Sequence, residues 1–169
     1  RDVDGVTADD IRKAAVKYLR SEDRRTVVMG PGKALRNPYR KTLENGLTCL
    51  VNRNASSPTF SFRIGFIGGL KAEEPGRNGE FSLLARMLLK GTKKKSSSEI
   101  ARQIDLLAGT LVPYNGRNLF GLSGRFMIKD AKEVIKLLGE LLMETSMTER
   151  ELERVKREVL SEIRQRDDD

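Results

Sequence analysis

The chain has no histidine, no tryptophan, a single cysteine and few aromatic residues. Without histidine there is no imidazole to ligate a transition metal or to activate a serine or cysteine nucleophile. The lone Cys49 excludes an internal disulfide and a multi-cysteine zinc site. It lies in an apolar alternation and reads as a buried structural thiol. No apolar run approaches the roughly 18 residues of a membrane span, and no secretory leader pattern opens the sequence. No glycine-rich phosphate loop follows a strand, and Gly65 to Gly69 reads as a strand-ending turn rather than a dinucleotide fingerprint. The compartment stays open, with the periplasm and the cytoplasm both admissible. Arg1 starts in mid-pattern and Asp169 ends a charge run, so a piece of a longer chain is expected.

What is present is ordinary for a globular chain of 169 residues: 38% hydrophobic, 33% charged, formal charge +8. The basic excess is most visible at Lys93-Lys94-Lys95, ahead of Ser96-Ser97-Ser98. It keeps open a free-standing basic binding module for nucleic acid or acidic membrane surfaces as the alternative function. No aromatic residue interleaves with these lysines, so the run reads as a solvated loop between helices.

Periodicity divides the chain. Thr7-x-x-Asp10 is a variant capping box, followed by Ile11, Ala14, Ala15, Tyr18 and Leu19 at helical spacing. A short strand, Thr26 to Met29, is broken by Gly30-Pro31-Gly32. Residues 33–41 read as a linker. Asn45-Gly46 predicts a type I′ hairpin, with Leu47, Cys49 and Val51 alternating after it. Thr59 to Ile67 is a strand with Phe60, Phe62, Ile64 and Phe66 on one face. A helix runs from about Gly79 to Lys90, and Ser96-x-x-Glu99 opens a second that ends at Gly109. Strands follow near Leu111 to Tyr114 and Leu119 to Ile128, the latter with Phe120, Leu122, Phe126 and Ile128 on one face. Asp130-x-x-Glu133 opens a helix carrying Val134, Ile135, Leu138, Leu141 and Leu142. Thr148-x-x-Glu151 opens the last, carrying Leu152, Val155, Val159 and Ile163. The order predicts an α+β fold, an antiparallel sheet covered on one face by paired helices.

The segment from Asn78-Gly79 through Met87-Leu88-Leu89-Lys90-Gly91-Thr92 resembles the signature helix of the pitrilysin/insulinase family of zinc peptidases, the inverted zincins. Thr42 to Leu47 is similar to that family's opening hairpin, Leu106 to Leu111 with Tyr114 to its helix-to-strand junction, and Val159 to Ile163 to its last helix. Val6 to Gly32 resembles the helix and strand that close a preceding domain. The resemblance implies three parts: residues 1–32 from that preceding domain, the linker, and a peptidase-like domain over 42–169 that is incomplete at its end.

It also implies that the chemistry is gone. Ser82 and Arg86 stand where the two histidine ligands belong, and Ala85 stands for the glutamate general base. Glu162, 76 positions after Arg86, keeps the position of the third ligand. Val112-Pro113 replaces the pair that helps align peptide on an edge strand, and proline removes a backbone donor. No cofactor is expected in this chain; zinc is expected in an active half, in the same chain or in a partner subunit, with a peptide substrate enclosed between the two. Ser82, Ala85, Arg86 and Leu89 share a helix face, and Glu162 points out of an apolar stripe. Two outcomes are open: the guanidinium of Arg86 fills the metal's place and pairs with Glu162, because neither charge is cheap to bury alone, or each side chain reaches solvent separately. The strand Thr26 to Met29, cut off from its own sheet, is expected to pair with another edge in this chain or in a second copy.

Overall fold

The computed structural model describes residues 6–19, 24–26, 38–52 and 57–167. In chain order the elements are α1 (Ala8–Tyr18), β1 (Arg24–Thr26), β2 (Tyr39–Thr42), β3 (Thr48–Val51), β4 (Thr59–Ile67), α2 (Glu80–Met87), α3 (Ser97–Leu106), β5 (Thr110–Asn115), β6 (Leu119–Met127), α4 (Ala131–Met143) and α5 (Glu149–Asp167). Six strands form one sheet in the order β2-β3-β1-β4-β6-β5. The fold is α+β. All pairings are antiparallel except β1 with β3, which is parallel.

Phenylalanine builds the core. Phe66, Phe81 and Phe120 are fully buried, with Phe81 and Phe120 ring centroids 5.0 Å apart and Phe66 and Phe120 5.5 Å apart. Phe60, Phe62 and Phe126 form a second group, Phe62 and Phe126 stacking at 6.2 Å. Tyr18 of α1 meets Phe81 edge-on at 4.8 Å. Val6, Ile11, Ala14 and Leu19 are buried in the same core. The N-terminal helix is therefore packed against the sheet domain. Arg12 also donates from Nε to the Met147 carbonyl, and Arg77 pairs with Asp10 at 3.0 Å. The capping boxes at Thr7 and Ser96 are both complete.

Several local expectations are corrected. The strand at Thr26 begins at Arg24, and it lies inside the sheet, between β3 and β4. Val27 to Met29 and residues 33–37 of the linker fall outside the described residues, while Tyr39, Arg40 and Lys41 are strand rather than linker. The hairpin turn is not type I′. Gly46 has φ 80°, but Asn45 does not have positive φ. The Gly46 amide donates to the Leu43 carbonyl and the Leu43 amide to the Leu47 carbonyl, a three-residue loop with Gly46 as the left-handed bulge residue. Cys49 is only half-buried. Helix α2 stops at Met87, in a turn ahead of Gly91. Ile128 is 58% exposed because the chain leaves β6 after Met127 in a 3₁₀ turn. Ile135 is exposed too; the buried stripe of α4 is Val134, Leu137, Leu138 and Leu141.

The lysine run is tied down. Glu140 on α4 accepts from Thr92 Oγ1 at 2.9 Å and from Lys95 Nζ at 2.6 Å, and Lys94 pairs with Glu144 at 2.8 Å. The Lys95 ammonium, with help from Thr92, holds the Glu140 carboxyl below its usual pKa. A depressed carboxylate adds stability above its unfolded pKa, near 4.5, and loses it as pH falls through the lower folded value. Glu140→Gln is therefore expected to cost about 1–2 kcal/mol at pH 7 in urea unfolding, with the deficit shrinking below about pH 4.5. A deficit independent of pH would contradict the clamp.

Candidate functional site

Helix α2 lies between α1, α5 and the strands β5 and β6. Phe81, Leu83, Leu84, Ala85 and Met87 are buried, so it faces apolar neighbours on most sides. Gly79 caps it in the left-handed conformation. Glu80 is buried in the first turn, where desolvation pushes its carboxyl up against the lowering effect of Arg77. Ser82 is half-buried and Ala85 is 1% exposed.

Arg86 and Glu162 are brought together. Nη1 donates to Oε1 at 2.8 Å and Nη2 to Oε2 at 2.7 Å, a two-pronged pair. The Glu162 carboxylate raises the Arg86 pKa further, with Glu158 adding to it. Lys90 donates to both oxygens of Glu158, at 3.3 and 3.0 Å, and Arg154 meets Glu158 at 3.3 Å. The Lys90–Glu158 rung is absent from the sequence reading. Its signal was there: Glu158 and Glu162 are four apart on α5, the spacing that aligns side chains on one helical face, and Arg86 and Lys90 have the same separation in sequence.

Val112 and Pro113 lie on β5, with Val112 exposed. β5 is an edge strand, the place in a sheet where proline is tolerated. The structure thus joins Arg86 to Glu162, keeps Ser82 and Ala85 on the same helix, and places Val112 and Pro113 on a strand that packs against that helix.

The profile of the family described as Insulinase (Peptidase family M16) matches residues 48–169. The chain belongs to the insulinase family of peptidases, family M16. Mitochondrial-processing peptidase subunit beta of Rattus norvegicus is 25% identical over 159 residues, covering 92% of this chain and 32% of that protein. The zinc protease YmxG of Bacillus subtilis, uncharacterized, is 25% identical over 129 residues, covering 76% of this chain and 32% of its own. A solved peptidase M16 inactive domain from Pseudomonas fluorescens has the same fold, with TM-score 0.67 at 20% identity over 75% of this chain and 31% of that one. This M16 chain therefore spans about a third of the length of the curated relatives it matches.

Relatives named zinc proteases make a metal the first question for this site. The residues of this M16 chain do not fit one. Both oxygens of Glu162 accept from a guanidinium, a fixed positive charge lies against it, and the chain has no histidine to add. Ala85 offers a methyl group, which cannot take a proton from water. Among the described residues no three His, Cys, Asp or Glu side chains converge.

The side chains of Arg86 and Glu162 are 27% and 45% exposed, so solvent screens the pair. Arg86→Ala is expected to cost about 1 kcal/mol by denaturant unfolding, less in high salt. A loss of about 3 kcal/mol or more would instead mark a stranded buried charge.

Proposed function

We propose that this chain is a non-catalytic domain of an insulinase-type zinc peptidase and forms part of the wall of a peptide-enclosing chamber, opposite an active half. One observation carries the reading. A guanidinium fork grips Glu162 from a helix whose sequence otherwise resembles a metal-binding helix. Two features support it: Ser82 and Ala85 cannot serve as ligand and general base, and a solved domain of the same fold is described as inactive.

The zinc belongs to the active half, which lies either in the same chain or in a partner subunit. Relatives named as beta and alpha subunits support the partner-subunit arrangement. Residues 1–32 close a preceding domain on this reading, 33–41 connect, and 42–169 form the inactive domain; the profile match starting at residue 48 supports that division, while α1 and β1 pack into the core and sheet of the later part and β2 begins at Tyr39. Open strand edges at β2 and β5 offer routes to association with a second copy or with the active half. No helix among the described residues is long and apolar enough to cross a membrane. The alternative, a basic module for nucleic acid or acidic membranes, finds no support in the lysine run, since Lys94 and Lys95 are paired with Glu144 and Glu140.

Protein purified without chelator or affinity tag tests the reading. Elemental analysis should find zinc far below one atom per chain, and quenched peptides should be cleaved only at background. Stoichiometric zinc, or cleavage abolished by a chelator, would overturn it.

A further inference from the structure

The sheet has a second face, turned away from the helices. Alternation along β4, β6 and β5 places Ser61, Arg63, Ser123, Arg125, Thr110 and Tyr114 there. Ser61 lies opposite Arg125 and Arg63 opposite Ser123; on the far side Thr110 lies opposite Arg125 and Tyr114 opposite Gly121. A shallow depression of about 300 Å³ opens over Ser61, Arg63, Ser123, Arg125, Thr110 and Val112.

These three strands contain no aspartate and no glutamate. Arg125 Nε donates to Ser61 Oγ at 3.2 Å. The Arg63 guanidinium lies over the Tyr114 ring, 4.6 Å from its centroid, while the Tyr114 hydroxyl donates to the Ile64 carbonyl. Gly121 makes room for this: it has φ 156°, and a Cβ there would lie 2.0 Å from the Ile64 carbonyl oxygen. Among the described residues, neither Arg63 nor Arg125 has a carboxylate partner, whereas Arg77, Arg86, Lys90, Lys94 and Lys95 each have one.

We propose that this face binds an acidic segment of an extended peptide, with carboxylates accepting hydrogen bonds from Arg63 and Arg125. The inference rests on the chamber reading and names the class of peptide it would hold. Arg63 and Arg125 are diagonal cross-strand neighbours, about 7–8 Å apart at the backbone. Carboxylates on residues i and i+2 of an extended chain are spaced by about 6.6 Å. Two such side chains can therefore each meet one guanidinium, with the Ser61 and Ser123 hydroxyls close by. Nucleic acid fits less well. Tyr114 is the only aromatic residue on this face of β4, β5 and β6, and its ring is covered by Arg63, so no base-stacking platform remains.

Fluorescence anisotropy with the full protein tests this, using labelled ten-residue peptides that carry Glu, Gln or Lys at alternate positions. The Glu peptide should bind at least tenfold more tightly than the Gln peptide at low salt. The preference should vanish in the Arg63→Ala/Arg125→Ala double variant, and Arg125→Gln, at an exposed position, carries the test if the double variant fails to fold. Equal binding of Glu and Gln peptides, or a preference that survives both variants, would overturn the proposal. So would displacement of the Glu peptide by a single-stranded oligonucleotide of equal charge at equal or lower concentration. Chelator-sensitive cleavage by this protein alone would defeat the chamber reading while leaving a Glu preference in place, so the two failures are separable.

Discussion

Helix α2 is the constraint around which the rest is arranged. Within eight residues it buries Phe81, Leu83, Leu84, Ala85 and Met87, and it packs against α1, α5 and the strands β5 and β6. Full burial of a large apolar side chain is worth about 1.5–3 kcal/mol, so the helix cannot be turned to expose one face without loss. Arg86 is fixed by that burial. It lies on the side of α5, where an unpaired guanidinium would be partly desolvated. Glu162 answers it with both oxygens, and Glu158 answers Lys90 one turn earlier. Within that packing the helix presents a cation to a carboxylate.

Much of this was legible. The capping boxes at Thr7 and Ser96 follow from side chains three residues apart, and β4 follows from strict alternation, because these signals are local. The hairpin was placed but its turn misread: Asn-Gly suits two turn geometries, and the hydrogen bonds of Leu43 decide between them. Ile135 and Leu137 are both apolar and two apart, and only packing shows which faces the core. The position of β1 was beyond local pattern altogether. A three-residue strand entering between β3 and β4, parallel to one and antiparallel to the other, is a long-range choice. In the site, the Arg86 and Glu162 positions were readable by resemblance, while the Arg63–Tyr114 stack depends on which cross-strand neighbours meet.

The formal charge of +8 is also distributed with a logic that composition cannot show. Its most conspicuous cluster, the lysine run, fastens a loop to α4 through Glu140 and Glu144. Arg63 and Arg125 lie on the sheet face turned away from the helices, with no acidic residue on β4, β5 or β6. Ion pairs and apolar packing thus lie on the helix side of the sheet, while on the other face, among the described residues, Arg63 and Arg125 meet Tyr114 and Ser61 rather than a carboxylate.

The claim that Arg86 holds α2 against α5 through Glu162 is tested most directly by a double-mutant cycle. Unfolding free energies of the parent, Arg86→Ala, Glu162→Ala and the double variant give the coupling between the two side chains alone. The account predicts a favourable coupling of about 0.5–1 kcal/mol that falls with added salt. Strictly additive single effects would contradict it, because the two charges would then sit side by side without holding the helices together.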